Sequence, residues 1–452
     1  MSKRNFILLI IILTIIVAVI FGFLFFLHKV NNPGDAGTGT NFISQFNPFA
    51  STPKPPVIKP PVDVTDNNPP PVNTTPSKLT KVSSMPVAGY GIFSKERIKN
   101  VPAPVAPVEE TGTAPSPTSA KTTKPTPPLT EFIPAVRYVA RGNGNIYQTF
   151  ADKIEERKFS TTVVPRVYEA IFGNHGQVVV MRYLKNDGVT ITTFVGTLPK
   201  ELLGGDTGGN EVKGYFLPDN VKDISLSPDT SKIFYLFLNA SDLTDTIIGA
   251  TLNFLNNKKI QVFDSAFTEW LSQWPENDSK NSIITLTTKP SSAIPGYMYS
   301  IDSAGKNLTK TLGDINGLTT LQSPNGKLIL YGDSSLSLNI YHTDTRNSDV
   351  LGVKTMPEKC VWGTMSDVIY CSVPKTIDPG EYPDTWYQGE VSFNDQIWKI
   401  DVKTGNTTMI NDPIAEVKGE EIDGIKLAFD EGENYLFFVN KKDSFLWKLN
   451  LK

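Results

Sequence analysis

Apolar positions fall into three regimes along the chain. Phe6 to Leu27 is a run of 22 residues without a charge or a proline, broken only by Thr14 and Gly22. A helix rising about 1.5 Å per residue crosses a hydrocarbon core of about 30 Å with that length, so residues 6–27 are predicted to form a transmembrane signal-anchor helix. Lys3 and Arg4 precede the run and His28 and Lys29 follow it. With the free amine, this gives a slight inner excess and a cytoplasmic terminus at 1–5. The rest of the chain is then expected outside the plasma membrane. The rival reading is a cleaved signal peptide, which needs a shorter apolar region and a small-residue cleavage site. Phe23-Leu24-Phe25-Phe26-Leu27 offers no such site.

The second regime lacks apolar periodicity. Pro33 to Pro76 holds 11 prolines in 44 residues, and Pro102 to Pro134 holds nine in 33 among many Thr and Ala. Neither stretch can bury a core, so both are expected to be extended and disordered. Residues 28–77 read as a stalk that carries a domain away from the membrane, or as a plain linker. Residues 96–134 read as a Pro/Thr-rich insertion in the domain that follows. From Ala135 onward only 13 prolines remain in 318 residues.

The third regime, 78–452, alternates short apolar strands with turn residues, the pattern of an all-β domain. Two signatures recur. Ser227-Pro228-Asp229 stands before Lys232-Ile233-Phe234-Tyr235, and Ser323-Pro324-Asn325-Gly326 before Leu328-Ile329-Leu330-Tyr331. Weaker copies begin at Gly173 and Phe429. Proline presets the first corner of such a turn, and Asp, Asn or Gly accept the tighter one. The second signature is an aliphatic-aromatic pair three residues ahead of an acid or amide. It is found at Met298-Tyr299 with Asp302, Ile340-Tyr341 with Asp344, Ile397-Trp398 with Asp401 and Leu446-Trp447 with Asn450, with Ile146-Tyr147 as a partial copy. The full copies lie 42, 57 and 49 residues apart. A period of about 40–50 residues suggests a β-propeller.

The Ser-Pro-Asp strand followed by Ile-Tyr/Trp-x-x-Asp resembles the WD40-like repeats of TolB-like bacterial β-propellers. The layout is also similar to that of membrane-anchored propellers of candidate-phyla bacteria, through Pro86-Val87-Ala88-Gly89, Arg137-Tyr138-Val139 and Tyr382-Pro383-Asp384-x-Trp386-Tyr387-x-Gly389. No copy carries the histidine and Trp-Asp dipeptide of eukaryotic WD40 repeats, so their peptide docking is not implied. Counting units gives seven blades. Blade one starts with Lys78–Phe93 and resumes at Val136; the others lie near 163–200, 220–260, 267–312, 317–352, 357–411 and 420–452. Six or eight blades fit the same pattern because blade one is split, and a pair of β-sandwiches is the alternative fold. The last unit is one strand short, and Lys78–Val82 is the segment that would supply it and close the ring.

Composition narrows function mainly by exclusion. Lys+Arg 43 against Asp+Glu 46 gives a net charge of −3, with no basic stripe for a nucleic acid. The three histidines and two cysteines are too scattered for a Cys/His zinc site. No nucleophile elbow, P-loop, dinucleotide fingerprint or metalloprotease motif is present, so no catalytic residue, metal or cofactor is expected. Acids gathered from separate blades leave a glycan or peptide hydrolase or lyase as the alternative. Cys360 and Cys371 flank a turn between two apolar runs, which favours a cross-strand disulfide outside the cytoplasm, against two buried thiols. Trp270 and Trp274, four apart, read as a helical or irregular core segment. The best binding candidate is the insertion Lys375–Ser392, with Asp378, Glu381, Tyr382, Asp384, Trp386 and Tyr387. These aromatics and acids either grip a ligand at the mouth of the propeller or plug a blade. The expectation is a membrane-tethered, non-catalytic binding or assembly module for an envelope protein or polymer.

Overall fold

Turn chemistry sets the strand boundaries. In the turn at 227–231, Asp229 Oδ1 accepts from Ser227 Oγ at 2.6 Å and from Ser231 N at 3.1 Å, while Ser227 Oγ accepts from Lys232 N at 2.9 Å. The turn at 323–327 repeats this wiring through Asn325, Ser323 and Leu328. Where the chain has no serine, Asp430 does both jobs, taking Asn434 N and Tyr435 N on Oδ1. Asp430 is 2% exposed, so it is an enclosed cap. Each of these turns joins the first strand of a sheet to its second.

A computed structural model describes residues 77–99, 129–201, 211–240, 244–275 and 282–452. The predicted transmembrane helix 6–27, nearly all of the stalk 28–77 and the heart of the insertion at 100–128 lie outside the described residues. Among the described residues no helix is long and apolar enough to cross a membrane.

The chain folds into seven four-stranded sheets, and paired strands within them are antiparallel. It is an all-β, seven-bladed propeller. Six blades are built from four consecutive strands. The seventh joins β26 (Gly424–Phe429), β27 (Tyr435–Asn440) and β28 (Leu446–Asn450) to β1 (Leu79–Lys81), which pairs Leu79 with Leu449 and Lys81 with Trp447. The segment before Val82 therefore belongs to the last blade, and blade one begins only at β2 (Val87–Ile98). That strand pairs with β3 (Thr130–Ala140) out to Ile98 opposite Thr130. Residues 96–98 and 130–134 are thus strand, and the insertion is narrower than the proline count suggests. The aliphatic-aromatic signature falls on the third strand of its blade in each copy, including β16 (Pro295–Asp302) and β24 (Asp395–Asp401).

Neighbouring blades share apolar clusters. Val179, Phe172 and Ile146 join blades one and two, and Phe438, Trp447 and Tyr370 join blades six and seven. First strands of adjacent blades converge on the ring axis. A Cβ at Gly89 would sit 1.9 Å from the Ala170 carbonyl oxygen, so only glycine lets β2 approach β6 (Val167–Gly173) this closely. The Trp270–Trp274 segment is not helical. Trp270 opens β14 (Trp270–Gln273), the first strand of blade four, edge-on to Phe263 and Tyr299.

Candidate functional site at the channel mouth

In an antiparallel four-stranded blade, the link between second and third strands leaves from the same end as the link to the next blade. The insertion 375–394 is a link of the first kind, between β23 (Val368–Pro374) and β24, and its neck is closed by Lys375 N donating to Asn394 O at 2.9 Å. It lies over the ring end formed by the other links of that set. Tyr382 and Trp386, 4% and 5% exposed, pack with Phe393, Leu336 and Met356, the last two from blade five and its link to blade six. Asp384, on the single turn α1 (Asp384–Tyr387), accepts from Ser292 N of blade four at 2.6 Å. Lys441 of blade seven donates to the Trp386 carbonyl at 2.8 Å and stands 4.5 Å over its ring. The segment is a cap tied to four blades.

Under the cap lies a buried charge cluster. Lys359, fully enclosed, donates to Asp395 Oδ2 at 2.7 Å and to Asp423 Oδ1. Asp423 Oδ2 accepts from Trp386 Nε1 at 3.0 Å, Phe393 N at 3.1 Å and Ser392 Oγ at 3.1 Å. Burial raises both carboxyls. At Asp423 the Lys359 ammonium and the added donors overcome burial and leave the group below its ordinary range. At Asp395 burial wins, pushing it up to about 6, and its Oδ1 has no donor. A buried ammonium so paired fixes geometry and holds the cap in one place.

The six candidate residues are therefore separated in role. Tyr382 and Trp386 form the core of the cap, the plugging alternative of the two, so truncation would open a hole and not strip a surface. Asp384 is an anchor. Asp378 and Glu381 are exposed on the loop. Only Tyr387, 39% exposed, reaches toward the channel, where its hydroxyl donates to Glu358 Oε1. Cys360 and Cys371 are direct cross-strand partners in β22 (Cys360–Trp362) and β23, joined as a disulfide with Cα atoms 4.0 Å apart.

Glu358 opens a second feature that the sequence did not single out. It lines a cavity of about 220 Å³ with Asp223, Ser272, Gln273, Thr287 and Thr320. Asp223 comes from β10 (Val221–Leu226), Ser272 and Gln273 from β14, and Thr320 from β18 (Thr319–Gln322), the first strands of blades three to five. The cavity is thus the upper wall of the central channel, below the cap. Asp223 Oδ2 accepts from both N and Oγ of Ser272 at 2.6 Å. Thr287 and Thr320 share a hydroxyl hydrogen bond of 2.8 Å. Glu358 Oε2 is buried without a donor. Burial raises Asp223 and pushes Glu358 up to about 7. Among the described residues no basic side chain lines the cavity.

A larger cleft of about 670 Å³ lies along the β2–β3 hairpin, and several of its charges pair with one another or with residues beside it. Arg97 pairs with Glu131 and Asp152, and Glu201 takes Lys95, Arg137 and Arg157. Among the described residues, no group of three or more His, Cys, Asp or Glu side chains is placed to hold a metal ion.

No family model matches the chain, and no curated protein matches it in sequence. Among solved structures, the chain is similar to an oligogalacturonate lyase in complex with manganese, at TM-score 0.47 and 10% identity over 70% of this chain and 85% of that one. It is similar to the oligogalacturonate lyase of Vibrio parahaemolyticus at TM-score 0.48 and 9% identity, covering 70% and 86%. A chain of a mitotic checkpoint complex gives TM-score 0.43 and 10% identity, covering 70% and 86%. Relatives this remote carry no argument about function, and the seven-sheet topology stands on its own hydrogen bonds.

Proposed function

We propose that this chain is a TolB-like propeller tethered to the plasma membrane by residues 6–27, carried outside the cytoplasm on the stalk 28–77, and acting as a non-catalytic binding or assembly module for an envelope protein or polymer. The observation that carries this reading is the state of the channel carboxylates. Asp223 is held by Ser272 and Glu358 by Tyr387, among Ser, Thr and Gln side chains. Such a lining offers hydrogen bonds for recognition and no assembled nucleophile and base.

One observation favours a second reading, a hydrolase or lyase. A carboxyl at about 7 in a walled cavity suits a general acid, and a second carboxylate lines the same cavity. Incubating the full-length protein with glycan and peptide fragments of the envelope separates the two. The binding reading expects no new reducing ends or amines. Product release that Glu358→Gln abolishes would replace it with the enzymatic one.

A further inference from the structure

From the cavity beneath the cap, we infer that the upper channel is a binding site for a primary alkylammonium group, gripped between Glu358 and Asp223. The inference deepens the reading of the propeller as a binding module and rests on it. Among the described residues the walls carry two carboxyl groups and no basic side chain. Arg182, on the strand beside Asp223's blade, turns its guanidinium to Glu169 and to the carbonyls of Val221 and Lys222. Lys359, next to Glu358 in sequence, turns into the Asp395–Asp423 pair. Both neighbouring cations thus make their hydrogen bonds away from the cavity and reach its carboxyls only through space.

The hydrogen-bond inventory points the same way. Tyr387 fixes Glu358 by one oxygen and leaves Oε2 buried with no donor. Ser272 fixes Asp223 by Oδ2. Thr287 and Thr320 share one hydroxyl hydrogen bond. Among the described lining residues there is no positive charge and no donor to Glu358 Oε2, and an ammonium brings three donors and that charge. Burial also raises the Glu358 carboxyl against the Tyr387 hydrogen bond and the Lys359 charge, and an arriving cation would return it to the ionised form. A volume of about 220 Å³ lies below the roughly 300–1,000 Å³ of drug-sized sites and suits a slim chain of a few atoms. Two sources supply that chemistry: a free small amine, or the lysine side chain of a bound partner.

The test is titration of the full-length protein with n-butylammonium chloride and, in parallel, with an acetylated Gly-Gly-Lys-Gly-Gly peptide, followed by calorimetry. Saturable 1:1 binding of either probe is expected, and the tighter one names the source. n-Butanol, which has the chain but not the charge, should not bind. Glu358→Gln keeps the size and the Tyr387 contact and should weaken binding by about tenfold or more, with the melting transition preserved. Asp223→Asn is the second variant, decisive should the first fail to fold. Absence of saturable binding by both probes, equal binding by a folded variant, or displacement of the probe by calcium chloride would overturn the assignment. Failure here leaves capture of an envelope partner intact, so the two readings fail separately.

Discussion

Lys359 is the residue on which the geometry of the cap depends. Its ammonium is enclosed between Asp395 and Asp423, and removing it strands two carboxylates in a site that water does not reach. Lys359→Met is expected to cost about 3–5 kcal/mol in urea unfolding, the range for breaking a buried pair from one side. A loss below about 1 kcal/mol would mean the cap is held by its apolar contacts alone. Trp386 and Tyr387 are adjacent yet predict opposite outcomes. Trp386→Ala opens a cavity and removes the donor to Asp423, for about 3–5 kcal/mol, whereas the exposed Tyr387→Ala should stay within about 1 kcal/mol. Thermal melts of the two variants read this directly. Glu358 gives a pH signature. Its folded value, about 7 against an ordinary 4.5, means the folded state holds the proton more tightly than the unfolded chain. That contribution is complete below 4.5 and is lost as pH rises through 7. Glu358→Gln cannot ionise, so from about pH 5 to 8 the wild type should lose up to about 3 kcal/mol relative to the variant. A pH-independent difference would refute the burial of this carboxyl.

At the scale of elements, β22 is only three residues long and is tied to β23 by the Cys360–Cys371 bond. For a loop spanning a separation of 11 residues, reduction should cost about 2–3 kcal/mol. Mass spectrometry of the unreduced protein should find the two residues linked, and two alkylated thiols would reject the bond. What the sequence made legible was the periphery of each blade. The first-to-second-strand turns at 227–231 and 323–327 share Ser-Pro-Asp/Asn because the same hydrogen bonds close both, and third strands repeat an aliphatic-aromatic pair at comparable positions. The channel wall was not legible, because blades three to five each contribute a different side chain to it. Asp223, Ser272 and Thr320 occupy comparable first strands without a shared residue, and Glu358 sits in a link before its strand. Trp270 and Trp274 misled for a related reason: a spacing of four mimics a helical face, but a strand start and the residue after its end can show the same spacing.

For the whole molecule, ring closure uses both ends of the described domain. Leu79, 2% exposed, packs against Ile422, Leu436 and Leu449, so an early segment completes the last blade. One end of the ring then carries the cap and the channel mouth, and the opposite end carries turns such as that around Leu255, 73% exposed. The central claim, that the capped end is the face that binds an envelope partner, is tested by site-specific photo-cross-linking. A photoreactive residue is placed at Tyr387 or at Leu255 of the full-length protein, and intact cells are irradiated. The account predicts one discrete envelope protein or polymer captured from position 387 and none from position 255. Equal capture from both positions, or capture from 255 alone, would contradict it.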